Sequence, residues 1–331
     1  MNAADEIKVS IICNAYNHEA YIRSALEGFV MQKTDFAFEI LVHDDASTDQ
    51  TADIIREYEA KYPDLIKPIY QTENQYSKGL GAPRIFQEPR VTGKYVAFCE
   101  GDDYWTDPLK LQKQYDAMEA HPELDICATG ALHVNCQTGK TLPLLQPSDH
   151  DTIFSVEQVI AGGGGFVATA SLFFRADILK DPPRFRSYLH LDYTLQICGS
   201  LRGGMLYLCD LTTVYRAMAE GSWTSRTYSD AAKWQEQNDK MAHSLAILNE
   251  ETSGRYQAVI QQKILEIDFD TRLARSEERK LLTRPYRSVL IALPFKEQLK
   301  IYLKAAFPFL KKWKRKIIKS RVGHGKQKGI Q

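Results

Sequence analysis

The chain has 331 residues, of which 44% are hydrophobic and 25% are charged, and its 42 basic residues equal its 42 acidic ones. This composition excludes intrinsic disorder, and the length predicts two domains or one large α/β domain with appendages. A net charge of zero excludes a dedicated nucleic-acid-binding domain, which would carry a basic excess. The charge is nevertheless split, because residues 296–331 carry a net +11 and the remainder carries −11.

The cysteines and the N-terminal residues indicate the cellular compartment in which the protein is expected to reside. The six cysteines show no C-x-x-C pair and no metal-ligand spacing, which predicts reduced, structural thiols in a cytosolic protein. The opening MNAADEIKVS has no basic start and no apolar stretch, so we expect no signal peptide. No run of about 18 apolar residues occurs, so an ordinary membrane span is not expected.

Short hydrophobic runs alternate with helical patterns in the N-terminal third. The predicted helices are 19–30 and 49–62, with Ser47 or Thr48 as the N-cap of the second. The predicted strands are 8–13, 38–42, 66–70 and 95–99. This alternation predicts a mostly parallel sheet flanked by helices, with ligands beyond the carboxyl ends of its strands.

The second half has a looser pattern. A strand at 126–134 is followed by a polar loop at 137–149, and a glycine run at 162–165 precedes an apolar segment at 166–174. A helix is predicted within 188–201, a strand at 205–209, and helices throughout 228–282. The glycine run is not a phosphate loop, because no G-K-[ST] follows it.

Three polar clusters follow predicted strands, at 14–17, 44–49 and 100–103. In the last of these, Glu100, Asp102 and Asp103 lie within four residues. Like charges so close together indicate a shared cation, and carboxylate oxygens suit Mg²⁺ or Mn²⁺. A solvated acidic turn is the alternative for this cluster.

These motifs together resemble glycosyltransferase family 2. The matching segments are KVSIICNAYNHEAYIRSALEGFVMQ, EILVHDDASTDQTADII and GKYVAFCEGDDYW, in the order and spacing of that family. The resemblance covers about residues 6–225. It implies the GT-A fold, a Rossmann-like, mostly parallel sheet flanked by helices, here with a C-terminal helical extension.

The resemblance also implies a nucleotide-sugar site. It assigns Asn14 and Tyr16 to the base or ribose, Asp45 to the base and Asp44 to its vicinity. The D-x-D motif falls on Glu100 and Asp102, with Glu in place of the first Asp. The metal-binding role, for Mn²⁺ or Mg²⁺, then falls on Asp102. The remaining assignments to this site are Asp103 and Arg216.

The family's catalytic base maps onto Asp192. In the family an acidic residue usually precedes the base, and Leu191 stands at that place here. Gly164, Gly165 and Trp223 are assigned to the acceptor side. The histidine frequent in the family's Y-R-x-H segment is Met218 here, so no histidine ligand is expected from it. For Asp192 a helix cap, and for Arg216 a structural ion pair, remain the alternatives.

The basic C-terminal segment suits an interfacial position on an anionic membrane. Aromatic and aliphatic residues alternate with lysines over 295–318, and Pro308 predicts two short helices rather than one. A helix packed on the body with a solvated basic end is the alternative. The expected organisation is a GT-A domain at 1–227, divided near residue 125 into nucleotide-sugar and acceptor halves, a helical region at 228–295 and the basic tail at 296–331.

The sequence therefore predicts an inverting, metal-dependent hexosyltransferase. It would move sugar from a nucleotide donor, a UDP-sugar in the first instance, to a glycan or lipid-linked acceptor in surface polysaccharide synthesis. It would be cytoplasmic, with peripheral attachment to the inner face of the cell membrane, and no nucleic-acid partner is expected. The alternatives are a non-catalytic nucleotide-sugar or glycan-binding protein on the same fold and, less favoured, a nucleotidyltransferase.

Overall fold

A computed structural model describes residues 6–79, 81, 83–219 and 230–307. The chain forms two compact units. The first comprises residues 1–230 together with 243–260, and the second comprises 231–242 together with 261–331. The region predicted as one helical segment, 228–295, is thus shared between the two units.

The first unit is built on one nine-stranded sheet. Its strands are β1 (Ile7–Ala15), β2 (Ala37–Asp44), β3 (Ile66–Tyr70), β4 (Tyr95–Phe98), β5 (Tyr104–Trp105), β6 (Ile126–Asn135), β7 (Thr152–Phe154), β8 (Phe173–Arg175) and β9 (Met205–Ala217). The spatial order is β3-β2-β1-β4-β8-β6-β9-β5, and β7 pairs with β9.

The parallel sheet predicted from the first third of the chain is confirmed there and becomes mixed farther on. Strands β3, β2, β1 and β4 are mutually parallel. β8 then runs antiparallel to both β4 and β6, whereas β6 and β9 are parallel. The short β5 and β7 pair antiparallel with β9. The alternation of strands and helices thus predicts only the parallel part of the sheet, which carries the polar clusters.

Among the described residues, six helices of the first unit connect these strands. They are α1 (Ile22–Val30), α2 (Thr51–Lys61), α3 (Lys110–Ala120), α4 (Val156–Gly162), α5 (Arg184–Tyr188) and α6 (Asp192–Ser200). Alternate residues of β1, such as Ile11 and Cys13, join a continuous core with Phe29 of α1 and Trp105 of β5. Burial of apolar side chains on a central strand and on the facing stripe of a helix is what holds such layers together.

The predicted cap of α2 was wrong. Neither Ser47 nor Thr48 caps it, and its N-cap position, Gln50, makes no side-chain cap bond. Instead the Ser47 hydroxyl accepts a hydrogen bond from the Asn17 amide at 3.0 Å, and the Thr48 amide donates to Asn17 Oδ1 at 2.8 Å. Asn17 has a left-handed backbone, φ +56°, which turns its side chain into this role. These hydrogen bonds join the turns after β1 and β2. Ser47 and Thr48 therefore bond to Asn17 and do not cap α2.

The second unit is helical. It contains α9 (Glu278–Leu281), α10 (Arg287–Ala292) and α11 (Phe295–Ala306), while α7 (Ala231–Glu251) and α8 (Gln257–Ala274) are divided between the units. The core of the second unit brings together Phe269, Leu281, Tyr286, Val289, Leu290 and Ile301. The predicted helical character of 228–282 is confirmed, and Leu245, Leu248 and Ile260 are buried as expected, whereas Ile264 and Ile267 are only half-buried.

Helix α11 ends two residues before Pro308, as the fixed backbone of proline requires. The second short helix predicted beyond Pro308 lies outside the described residues. Within the described residues, no helix combines the length and apolar character needed to cross a bilayer.

Candidate nucleotide-sugar and acceptor site

The first feature of the site is the close approach of the turns after β1 and β4. The Gly101 amide donates to the Asn14 carbonyl at 2.9 Å, and Asn14 Nδ2 lies 3.5 Å from Glu100 Oε1. A Cβ at Gly101 would lie 2.9 Å from His18 Nδ1 and 3.0 Å from Ile22 Cδ1, so position 101 has no room for a side chain. Asn14 Oδ1 is buried and accepts no hydrogen bond from the residues that the structure describes, so it is an available acceptor at this edge.

The paired aspartates after β2 have different surroundings. Both carboxylate oxygens of Asp45 accept backbone amides, from Gln75 at 2.7 Å and from Tyr76 at 3.1 Å. Asp44 accepts the Ser47 amide at 3.3 Å on Oδ2, and its buried Oδ1 has no hydrogen-bond partner within the described part of the chain. Burial raises the pKa of Asp44 above its ordinary value, although the bond from Ser47 opposes this. Asp45 thus fastens the loop after β3, and Asp44 retains the open acceptor.

The acidic turn after β4 is partly buried, with Asp103 buried and Glu100 and Asp102 half-buried. Burial, and then repulsion from Asp102, raises the pKa of Glu100 to about 8. Burial, followed by the Asp102 charge, also raises the pKa of Asp103 well above its ordinary value. The structure therefore does not support the solvated-turn alternative. Three crowded carboxyl groups that cannot all ionise easily form a site that gains from a nearby cation.

Arg216 holds this turn in place. Its Nη1 donates to the backbone oxygen of Asp102 at 3.0 Å, and its own amide donates to Asp103 Oδ1 at 2.8 Å. The guanidinium lies 4.2 Å from the centroid of the Tyr104 ring, and Nη2 donates to the Ser24 hydroxyl at 3.2 Å. Arg216 therefore connects β9 to the acidic turn through several bonds at once. Arg216 therefore has a structural role in stabilising the acidic turn.

Asp192 stands at the first residue of α6 and is half-buried. Its Oδ2 accepts the Thr169 hydroxyl at 2.5 Å, and its Oδ1 accepts the Tyr193 amide at 2.7 Å. Burial raises the pKa of this carboxyl, while the bond from Thr169 lowers it. Asp192 is connected to the acidic turn through Thr169, whose neighbour Ala170 accepts the Trp105 indole bond at 2.8 Å.

The glycine run lies next to the predicted base. A Cβ at Gly164 would be 3.7 Å from Tyr193 Cβ, and a Cβ at Gly165 would meet only open space. The Tyr193 hydroxyl donates to the carbonyl of Ile160 in α4 at 2.6 Å, so α6 is joined to the helix that leads into the run. Both Gly164 and Gly165 are exposed, as an acceptor-side loop requires.

Two assigned positions remain, Tyr16 and Trp223. Tyr16 is half-buried in the turn after β1, beside Asn14. Trp223 lies outside the described residues. Met218, which stands where a histidine is frequent, follows the end of β9 with a left-handed backbone, φ +59°, and is exposed.

The donor set fits one divalent cation held jointly by protein and substrate. Within the described ranges, no group of three or more histidine, cysteine, aspartate or glutamate side chains is arranged as a metal site. Mg²⁺ and similar cations commonly take one or two carboxylates and complete their shell with water and substrate phosphates. Burial, and then the charge of Asp102, raises the pKa of both Glu100 and Asp103, and a cation nearby would offset this. Asp102 and Glu100 are the residues that would hold such an ion.

Three features of the site had no signal in the sequence. The first is Thr169 bonded to Asp192, and the second is the indole of Trp105, whose Nε1 donates to the Ala170 carbonyl at 2.8 Å. The third is Lys110, fully buried with its Nζ 4.4 Å from the Trp105 ring. The two hydrogen bonds join segments 23 and 65 residues apart along the chain. A weak cue existed only for Thr169, which lies two residues before the S-x-x-F-R segment at 171–175.

The chain is similar in sequence to bacterial proteins. An uncharacterized protein of Mycobacterium tuberculosis is 36% identical over 241 residues, which are 72% of this chain and 66% of that protein. The matched segment thus falls just short of two thirds of the relative's length.

Solved structures similar to this one share its architecture. Staphylococcus aureus TarS, residues 1–349 in complex with UDP-GlcNAc, aligns with TM-score 0.60 and 21% identity over 92% of this chain and 81% of that one. Mannosyltransferase PcManGT from Pyrobaculum calidifontis, in complex with GDP-Man and Mn²⁺, aligns with TM-score 0.51 and 15% identity over 92% of this chain and 87% of that one. At these identities the likeness concerns the fold, which is the GT-A fold.

The sequence profile of the family described as glycosyl transferase family 2 matches residues 10–181. This segment runs from β1 past β8 and contains every polar cluster at the carboxyl edge of the parallel strands. Since the match covers more than half of the chain, the chain belongs to glycosyl transferase family 2.

Proposed function

We propose that the protein is an inverting glycosyltransferase that transfers a sugar from a nucleotide donor to a glycan or lipid-linked acceptor in surface polysaccharide synthesis. The observation that carries this proposal is that Asp44, Glu100 and Asp102 lie at the carboxyl ends of parallel strands along one sheet edge, where Asn14 bonds to Glu100. Asp192 is connected to this edge through its bond with Thr169 and the bond of the Trp105 indole to Ala170. The TarS and PcManGT structures, which hold UDP-GlcNAc and GDP-Man, support a nucleotide-sugar donor.

In this proposal each part of the edge has one task. The available acceptors Asn14 Oδ1 and Asp44 Oδ1 take hydrogen bonds from the nucleoside. A divalent cation, when bound at Asp102 and Glu100, neutralises charge on the departing diphosphate. The Asp192 carboxylate accepts the proton of the acceptor hydroxyl as its oxygen bonds to the anomeric carbon and the carbon–phosphate oxygen bond breaks. Gly164 and Gly165 leave room for the acceptor beside Asp192.

The test is release of nucleoside diphosphate by the purified full-length protein. We would offer UDP-glucose, UDP-GlcNAc, UDP-galactose and GDP-mannose, with Mn²⁺, with EDTA, and with Mn²⁺ restored. We expect turnover that EDTA abolishes and Mn²⁺ restores. Removing a general base costs about 10²- to 10⁴-fold in rate, so Asp192→Asn should lose turnover on that scale while still binding the nucleotide. Asp102→Asn should lose turnover together with its response to Mn²⁺.

Asp149→Asn is the matched control, because Asp149 is an exposed aspartate paired only with its neighbour His150 in the loop before β7. It should keep wild-type turnover. Full turnover by Asp192→Asn would contradict the proposal. Tight nucleotide-sugar binding with no turnover from any donor would instead favour the non-catalytic binding protein, whose basis is the departures at Glu100, Leu191 and Met218.

We also propose that the protein attaches peripherally to an anionic membrane through α11 and the basic segment beyond it. Ile301 and Ala305 of α11 are buried in the second unit, but the apolar residues on the rest of its surface remain exposed: Phe295, Leu299, Tyr302, Leu303 and Phe307. Lys296, Lys300 and Lys304 are exposed on the same helix. Apolar side chains flanked by lysines are typical of helices that lie in the headgroup layer of an anionic membrane.

The charge of the chain supports the same partner. Residues 308–331 add nine basic residues and no acidic one directly after α11. Each basic residue near an anionic surface contributes about 1 kcal/mol, so the segment as a whole can hold the protein at such a surface. A lipid-linked acceptor would be reached from there.

A further inference from the structure

We propose that Thr169 is a positioning residue for the reaction, because its hydroxyl fixes the orientation of the Asp192 carboxylate toward the acceptor. This inference rests on the proposed function of Asp192 as the base. Thr169 Oγ1 donates to Asp192 Oδ2 at 2.5 Å, a length usual for a hydroxyl bonded to a carboxylate. Because the Tyr193 amide occupies Oδ1 at 2.7 Å, the two bonds together set the plane of the carboxylate.

The backbone that carries Thr169 is itself held firmly. It begins a single 3-10 turn, Thr169–Ser171, whose other two residues are fully buried. Trp105 Nε1 donates to the Ala170 carbonyl at 2.8 Å, and Gln114 Nε2 donates to the Ser171 carbonyl at 2.9 Å. A side chain on so constrained a turn can hold a carboxylate in one position with little loss of its own freedom.

The same bonds link the two halves of the site. Trp105 lies two residues after Asp103, so the acidic turn and the Thr169 turn are connected through one indole bond. Asp192 follows at the other side of Thr169. The distance between the acidic turn of the sugar-donor site and the base is therefore set by these hydrogen bonds, rather than by the exposed glycine loop.

The charges that act on Asp192 also bear on the role of Thr169. Glu100, from the turn after β4, is the carboxyl that interacts with Asp192 across the site. Because the pKa of Glu100 is itself raised to about 8, burial is what chiefly favours the protonated form of Asp192, which cannot accept a proton. The Thr169 hydroxyl opposes the effect of burial, because a donor stabilises the ionised carboxylate. Thr169 thus also keeps the base in the form that the reaction needs.

The test compares Thr169→Val, Thr169→Ser and Ser171→Ala in the full-length protein. Valine keeps the shape of threonine without the hydroxyl, and serine keeps the hydroxyl. Ser171→Ala is the matched control, because it removes a hydroxyl from the same turn that donates only to the Ala168 carbonyl, at 2.7 Å. Initial rates of diphosphate release would be measured against donor concentration and pH, and UDP binding by calorimetry.

We expect Thr169→Val to lower kcat by about 10- to 100-fold with donor KM and UDP affinity unchanged, since misplacement of a reacting group acts on the chemical step. The acid limb of its pH–rate profile should move up by about one pH unit, as loss of a bond to a charged group predicts. Thr169→Ser should recover most of the rate, and Ser171→Ala should leave the profile where it is in the wild type.

Two results would overturn the inference. One is wild-type kcat and pH profile in Thr169→Val. The other is an equal loss in all three variants accompanied by weaker UDP binding, which would show a structural role for the turn. Failure of the proposed function itself looks different, because then Asp192→Asn retains turnover or the wild type has none.

Discussion

At the residue scale, Lys110 is the most unusual side chain in the first unit. It is fully buried at the start of α3, where its ammonium donates to Gln114 Oε1 and lies against the face of the Trp105 ring. Burial lowers the pKa of Lys110 to about 7, far below the value of a lysine in water. A lysine that loses its proton near neutrality makes stability depend on pH.

Lys110→Met should therefore change how stability varies with pH. Between pH 7 and about 10 the unfolded chain holds a proton that the native Lys110 has lost, so wild-type stability rises with pH in this window. The methionine variant should lack this rise and should be more stable near pH 7, by on the order of 2 kcal/mol after the lost bond to Gln114 is allowed for.

Urea unfolding at several pH values across that window measures the slope. Lys113→Met is the control, because Lys113 is partly exposed on the same helix and pairs with Asp107 and Asp210 on the surface. It should retain the wild-type slope. An identical slope in Lys110→Met and the wild type would contradict the prediction.

At the element scale, α11 has one buried and one exposed apolar surface. Ile301 and Ala305 serve the core of the second unit, whereas Leu299 and Leu303 remain about half exposed, at 45% and 49%. Replacing both exposed leucines by glutamate should leave the fold intact and reduce binding to vesicles containing anionic lipid by at least tenfold. The physical reason is the loss of two apolar side chains from the headgroup layer and the addition of two like charges.

Vesicle sedimentation with anionic and with zwitterionic lipid measures this effect. Leu282→Glu is the control, because Leu282 is exposed in the same unit but outside α11. It should bind as the wild type does. Unchanged binding of the double variant would show that α11 does not touch the membrane.

The elements also show how far the sequence could be read. The strand predicted at 66–70 is β3 (Ile66–Tyr70), because a short hydrophobic run between turns specifies it locally. The strand predicted at 205–209 is wrong in length, since β9 continues to Ala217. The second half of β9 forms because it pairs with β6 and β5, and the local sequence pattern contains no information about this pairing.

Some contacts of the candidate site could likewise be predicted from the sequence, and others could not. The approach of Asn14 to the acidic turn followed from parallel neighbours in a sheet, because their carboxyl ends share one edge. The bond between Thr169 and Asp192 did not follow, because it joins residues 23 positions apart through packing of a turn against a helix. The sequence could name the acids of the site but not the groups that orient them.

At the scale of the whole molecule, the opposite charges of body and tail predict separable activities. The assigned donor and base residues all lie before residue 220, and nine of the twelve basic residues of the tail lie beyond Phe307. Ending the chain after Phe307 keeps Ile301 and Ala305 in the core of the second unit. Ending it before residue 296 would remove both.

A chain ending at Phe307 should thus release diphosphate from donors at the wild-type rate and bind anionic vesicles at least tenfold more weakly. Wild-type binding should itself weaken as salt is raised, because exposed charges are screened beyond about 8 Å at physiological ionic strength. Parallel turnover and sedimentation measurements test both parts. Loss of turnover with unchanged melting temperature would contradict the separation, and so would undiminished vesicle binding.

The contact between Trp105 and Lys110 has an optical consequence. An ammonium 4.4 Å from the ring perturbs indole emission differently from a neutral amine, so a proton leaving Lys110 near pH 7 should register as a change in Trp105 fluorescence. Replacing the other three tryptophans, at 223, 234 and 313, by phenylalanine would isolate that signal. Because the same indole is bonded to the carbonyl next to Thr169, the protein carries its own spectroscopic probe between the acidic turn and the base.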